Sequence, residues 1–386
     1  MHFLKATQLF SGKEFLPQDS VLVLDDAGFI IDIVSEKEVE NSKVEFLDGI
    51  LTPGFINTHC HLELSHLKDK IARGTGIVDF GLEVIKQRNQ TPLGLQVELM
   101  QDADQFMFEN GIVAVGDISN TADSIEVKKR SKLYYHTFVE LIALNPERAN
   151  LVFESGKAIV EEYDKNNLSV SIAPHAPYTA SVELIKLISD DCYSKKKPSS
   201  IHNQESDAEN EFFHSKTGNY LRLYETLNIP IDYFKASGKS SLQTILQGFN
   251  VNVNTLLVHN TFSKKEDVEI AEKYHRNLFW CLCANANLYI ENTLPDVALL
   301  QAHNCNLTLG TDSLASNATL SIAEEINVLK QHQFHISLEV LLKAATYNGA
   351  HFLGLESQLG LIEKGKKPGI NLLRQTEKGL SVKRLF

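Results

Sequence analysis

The sequence predicts an α/β protein: an eight-stranded parallel β/α barrel over residues 51–354, with a small β-sandwich domain formed by both chain ends, residues 1–50 and 355–386. Three observations lead there. Eight short apolar runs alternate with helix-length segments through the middle of the chain, the rhythm of βα units. Both ends instead carry short β-rich runs broken by turn signals. Finally, five of the eight central runs stop at a histidine or an aspartate, where a run with no chemical task would stop at turn residues. In a closed (TIM) barrel the active site lies at the C-terminal ends of the strands.

At 386 residues the chain has room for a barrel of about 250 residues and an accessory piece. A composition 43% hydrophobic and 22% charged is ordinary globular usage with ample material for a core. The net charge of −12 argues against a nucleic-acid partner, which would call for basic patches. The one dense basic run, Lys195-Lys196-Lys197, reads as a solvated helix end. The opening residues lack the layout of a signal peptide, and no apolar stretch approaches the roughly 20 residues that span a bilayer. A cytoplasmic protein with a small-molecule substrate, and no membrane partner, is expected. Five scattered cysteines indicate free thiols in a reducing compartment. Cys281 and Cys283 are read as buried thiols rather than half of a zinc knuckle, because no second pair exists.

Taken in order, residues 2–50 hold the runs Val21–Leu24, Phe29–Val34 and Val44–Leu47, separated by Asp-Asp-Ala-Gly and other breaks. The barrel strands are expected at Leu51–Asn57, Ile112–Asp117, Tyr134–Ile142, Ser169–Ala173, Ser200–Ile201, Thr255–Val258, Leu278–Cys283 and Asn306–Leu309. Segments such as Val97–Phe108 and Glu266–Tyr274 between them have helical periodicity. A last helix is expected over Leu338–Leu353, with Ser337 as its N-cap. The tail then returns to turn and strand signals through Gly365-Lys366-Lys367-Pro368-Gly369.

The first barrel strand ends in His59-Cys60-His61. Residues two apart on a strand share a face, so both imidazoles can address one point. His202 and Asp312, at the ends of the fifth and eighth runs, bring the set to three nitrogens and one oxygen. Zinc accepts that set, and a catalytic site keeps a further position open for water. Glu205, three residues past His202, is placed to carry protons between water and substrate. His259, ending the sixth run, is placed to orient that water. The fourth run ends in Ala173-Pro174-His175, with no lysine to bridge a second ion, so one metal is expected.

Together these residues resemble the amidohydrolase superfamily, and within it the cytosine-deaminase-like branch that holds the chlorohydrolases and aminodeoxyfutalosine deaminases. The resemblance runs through Pro53–His61, His202-Asn203-Gln204-Glu205, His259, Gly310-Thr311-Asp312-Ser313 and the Gly-Lys tail segment. It implies that His59, His61, His202 and Asp312 bind one divalent metal ion, zinc ahead of iron. It implies Glu205, His259 and Asp312 as catalytic residues of a hydrolytic deaminase acting on an amino-substituted purine or related heterocycle. Hydroxide generated at the metal would attack the ring carbon, and ammonia would leave. Leu62–Ser65, Ala173–Tyr178 and Asn287–Ile290 look most like the aminodeoxyfutalosine deaminases of menaquinone biosynthesis, which implies Glu63, His175, Asn287 and Ser313 as substrate contacts. The chain departs from that group at Cys283-Ala284-Asn285-Ala286-Asn287, where an arginine is common; Arg73 and Arg88 are alternative partners for an anionic group. The resemblance also admits a homodimer. The alternatives are hydrolysis of a cyclic amide or a halogenated ring on the same site, and an inactive binding protein on the same scaffold.

Overall fold

The computed structural model describes residues 1–386, except for the side chain at position 41. Four strands come first: β1 (His2–Leu9), β2 (Ser20–Leu24), β3 (Ile30–Ser35) and β4 (Val44–Pro53). Eight follow, alternating with helices: β5 (Phe55–Cys60), β6 (Ile112–Ser119), β7 (Tyr134–Leu141), β8 (Ser169–Pro174), β9 (Ser199–Asn203), β10 (Thr255–His259), β11 (Leu278–Leu282) and β12 (Asn306–Leu309). The chain closes with β13 (Ile370–Thr376) and β14 (Gly379–Arg384).

Both chain ends meet in one six-stranded sheet of order β14-β13-β4-β1-β2-β3. Its one parallel pair is β1 with β4; β4 receives β13 antiparallel, with Leu51 opposite Leu372 and Pro53 opposite Ile370. The run expected as a single strand over Leu51–Asn57 is therefore two strands, the first three residues belonging to this outer sheet. Gly54 makes the junction. A Cβ there would lie 2.2 Å from Val113 Cγ1 and 2.8 Å from the Pro368 carbonyl, so only glycine lets the chain pass. Composition alone does not reveal the break, because Leu51 and Phe55 are equally apolar.

The middle strands form two parallel sheets, β5-β6-β7-β8 and β9-β10-β11-β12. Parallel strands covered on both faces read as continuous apolar runs, and every residue of β6, β9, β10 and β11 is buried. Hydrogen bonds join the two sheets at both margins: His202 N donates to the His175 carbonyl (2.9 Å), and Thr311 N to the His59 carbonyl (3.0 Å). Ile56, Ala114, Phe138, Ala173, Leu256, Val258 and Phe279 pack into one cluster with Phe352, so the two sheets share a core. Burying each large apolar side chain there contributes roughly 1.5–3 kcal/mol.

The helices Leu93–Glu109 and Lys265–Tyr274 contain the expected periodic segments. Ser337 caps its helix by accepting from Val340 N, but the helix stops at Ala345 and a second runs Tyr347–Leu353. The interruption falls at Thr346, whose hydroxyl bonds back to the Leu342 carbonyl (2.7 Å). All five cysteines are free, Cys281 and Cys283 buried among them. Among the described residues, no helix is long and apolar enough to cross a membrane.

Candidate active site

His59 is the fifth residue of β5, and His61 follows one residue past the strand's end. Alternation turns Cys60 to the opposite side, fully buried, while the two imidazoles converge with Nε2 atoms 3.1 Å apart. His202, on β9, brings its Nε2 to 3.2 Å from that of His61. Its Nδ1 lies 2.8 Å from the His175 carbonyl; only a protonated Nδ1 can bond there, which leaves the Nε2 lone pair facing the cluster. Asp312 follows β12 in a left-handed conformation, φ 56°, and sets Oδ1 at 3.4 Å from His59 Nε2 and 3.3 Å from His61 Nε2. Its Oδ2 accepts from the Ser316 hydroxyl.

His61 Nε2 thus lies 3.1–3.3 Å from donor atoms of His59, His202 and Asp312, and His59 lies 3.4 Å from Asp312. Ligand atoms at the corners of a tetrahedron with bonds of about 2.0–2.1 Å stand roughly 3.3 Å apart. The donor set therefore fits one divalent ion. Electrostatics agree. Burial pushes His61 down to about 4, and burial together with the neighbouring imidazoles holds His202 well below its ordinary value, so both are neutral, as ligands must be. Burial alone would raise the Asp312 carboxyl, but bonding to His59 and the neighbouring imidazoles of His61 and His259 hold it far below the carboxylate range. His259 is a fifth donor nearby: it, His59, His202 and Asp312 each offer an atom within 4.8 Å of the others.

Glu205, just past β9, is 3.5 Å through Oε1 from His259 Nε2. Burial, reinforced by Asp312 and Glu291, pushes its carboxyl well above the ordinary value. His259 sits at φ 77°, a conformation a side chain rarely adopts and one that clusters at functional sites. Its Nδ1 is 2.8 Å from Asn287 Oδ1, and an acceptor there fixes the proton on Nδ1.

These residues open on a cavity of about 330 Å³. His175 and Ser313 line it, as does Arg88; Arg73 instead lies over the Tyr289 ring, 4.7 Å from its centroid. Two expected substrate contacts are not among its lining residues. Glu63 accepts from Asn120 N (3.0 Å) and the Thr121 hydroxyl (2.9 Å) and borders a smaller adjoining cavity. Asn287 gives its Oδ1 to His259 (2.8 Å), while its buried Nδ2 has no partner among the described residues. Asn285, also absent from the lining, donates through Nδ2 to Glu325 Oε1 (2.9 Å). A larger cavity, about 540 Å³, bounded by Lys68, Leu95, Phe106 and Leu320, contains none of the donor atoms.

Sequence reasoning missed Glu140, which lines the cavity from β7, and Asn120 beside it. A carboxylate inside the apolar run Phe138-Val139-Glu140-Leu141 was the available signal. It also missed the fully buried pair Lys128–Asp117 (2.6 Å). Asp117 Oδ1 accepts from Leu62 N (2.8 Å) and anchors the chain just past His61.

Fold and donor set suit a hydrolase that works with a divalent ion. Residues 50–385 match the Amidohydrolase family, and the chain belongs to it. Among its relatives is the adenosine deaminase of Helicobacter pylori, 25% identical over 381 residues, covering 94% of this chain and 91% of that protein. The crystal structure of Helicobacter pylori aminofutalosine deaminase in complex with methylthio-coformycin superposes with a TM-score of 0.80 at 22% identity, covering 100% of both chains. An adenosine deaminase from Xanthomonas campestris with bound zinc gives 0.72 at 19% identity, covering 97% of this chain and 85% of that one.

Proposed function

We infer that this protein is a hydrolytic deaminase of an adenine-type nucleoside, with aminodeoxyfutalosine and adenosine as the leading substrates. The observation that carries the reading is the four-donor set with Glu205 beside it, buried and with its carboxyl pushed up. His59, His61, His202 and Asp312 would hold one ion, zinc before iron, as in the zinc-bound adenosine deaminase. Such an ion lowers the pKa of a bound water to about 7 and so supplies a nucleophile at neutral pH. Asp312, ionised and anchored by Ser316, accepts the proton of the attacking water. Glu205 donates its proton to the ring nitrogen and then assists departure of ammonia. His259, held by Asn287, steadies the attacking oxygen. His175 and Ser313 contact the substrate. Outside the polar floor, Ile77, Val84, Ile142 and Leu223 make an apolar wall, and Arg88 is its one lysine or arginine. That combination suits an apolar substituent ending in an anion.

The same reading takes the two parallel sheets as one closed barrel, supported by the hydrogen bonds at both margins and the shared core. It takes the six-stranded sheet as a rolled, sandwich-like domain. A Cβ at Gly28, beside β3, would meet Phe386, which follows β14, so opposite edges of that sheet approach each other. The domain division falls at Gly54, close to residue 50, with the tail returning after about residue 355. The protein is proposed to act in the cytoplasm on a small molecule, with no nucleic-acid or membrane partner, and to admit a homodimer.

Purified protein should contain one equivalent of metal and release ammonia from adenosine or aminodeoxyfutalosine. His202→Ala or Glu205→Gln should lower kcat/KM by about 100-fold or more. Full activity in both variants would remove these roles, and chloride rather than ammonia from a halogenated panel would move the protein to the chlorohydrolase reaction.

A further inference from the structure

Glu140 is the charged residue of the cavity that the reaction above leaves without a task. It lies near the end of β7 with its side chain 5% exposed. Oε2 accepts from Asn120 Nδ2 (3.0 Å), whereas Oε1, equally buried, has no hydrogen-bond partner among the described residues. The nearest ring nitrogen, His202 Nδ1 at 3.6 Å, is already committed to the His175 carbonyl. Asn120 has nothing more to offer. Its Oδ1 accepts from Arg88 Nη2 (3.2 Å), and its backbone N serves Glu63. Turning the amide over would set its oxygen against the carboxylate and its NH₂ against the guanidinium. The network Arg88–Asn120–Glu140 therefore has one polarity only, and it leaves one buried carboxylate oxygen of a cavity-lining residue with no donor. Such an oxygen is costly to bury unless a donor arrives.

We propose that Glu140 is a specificity-determining residue whose Oε1 accepts a hydrogen bond from a neutral hydroxyl of the substrate. For a purine nucleoside, that hydroxyl belongs to the sugar. The identification of the donor as a sugar hydroxyl rests on the nucleoside reading above. A cationic donor is the poorer match, because Arg88 is joined to Glu140 through Asn120 and the adjoining ligand set calls for a dication. A site built to bond a hydroxyl rejects the analogue lacking it far more strongly than an apolar pocket rejects a misplaced methylene.

The test compares adenosine, 2′-deoxyadenosine and 3′-deoxyadenosine with the metal-loaded wild type and the Glu140→Gln variant. The wild type should favour adenosine over one of the two analogues by about tenfold or more in kcat/KM, and the variant should bring that ratio toward one while still releasing ammonia. No discrimination in the wild type, or the same ratio in both proteins, overturns the proposal. Titration calorimetry with the same three nucleosides reads the contact without turnover. If the wild type releases no ammonia from any of them or from aminodeoxyfutalosine, the deaminase reading fails. Hydroxyl-dependent affinity that Glu140→Gln abolishes would then still sustain the contact, and equal or absent affinity would overturn it.

Discussion

Glu325 is buried in the helix Ile322–His332 and accepts from Asn285 N (3.1 Å), Asn285 Nδ2 and Asn317 Nδ2 (both 2.9 Å). It ties the helix that carries Asn287 to the loop that follows Asp312. Burial pushes its carboxyl up to about 7, above its ordinary 4.5. Between those values the folded protein keeps a proton that the unfolded chain has released. The stabilising contribution is complete below the unfolded value and is lost as pH rises through the folded one. Burial raises Glu63 and Glu209 to about 7 as well. Glu325→Gln should therefore flatten, without abolishing, the decline of melting temperature between about pH 4.5 and 7; an unchanged slope would show that Glu325 does not titrate in that window. Asn287 acts one link from the chemistry. Asn287→Ala should lower kcat by about 10- to 100-fold with metal content intact, and a pure KM effect would instead make it a substrate contact.

At the scale of elements, the ligand set depends on how closely β12 approaches β5. A Cβ at Gly310 would lie 2.8 Å from both Cys281 Sγ and His59 Cβ, so the strand that delivers Asp312 can reach the β5 histidines only with glycine there. Gly310→Ala should cost about 1–3 kcal/mol of stability and lower metal occupancy, measured by denaturant titration and elemental analysis. Native stability and full occupancy would show that the strands can part without moving the ligands. Left-handed residues serve the same end: Gln204, His259 and Asp312 all have positive φ, each turning the chain sharply where a strand gives way to a loop. Side-chain identity does not announce these turns, since none is glycine.

For the whole molecule, the four donors come from both parallel sheets, β5 from one and β9 and β12 from the other. An ion that binds only the folded state stabilises it by mass action, and one held by these four donors would also join the two sheets. Removing metal with a chelator should lower the melting temperature by several degrees, restored by zinc; no shift would mean that the sheets are held without it.

Much of this was legible in the chain because local chemistry is repeated. Apolar runs alternate with helical periodicity, and several end in histidine or aspartate, so the β/α order was legible from residue type and spacing, as were the candidates His59, His61, His202, Glu205, His259 and Asp312 that the structure brings together. Gly54 hid the end of the outer strand because both sides of it are apolar, and Thr346 hid a helix break inside a good helical pattern. What the sequence by itself determined is the order of the elements and the kinds of atoms offered at strand ends. Only the tertiary structure decided which of those atoms share a cavity. Glu63 and Asn285 are turned toward protein partners, Asn287 serves His259, and Glu140 keeps one oxygen open. That outcome depends on contacts between residues dozens to hundreds of positions apart, such as Asn120 with Glu63 and Asn285 with Glu325, which no local pattern encodes.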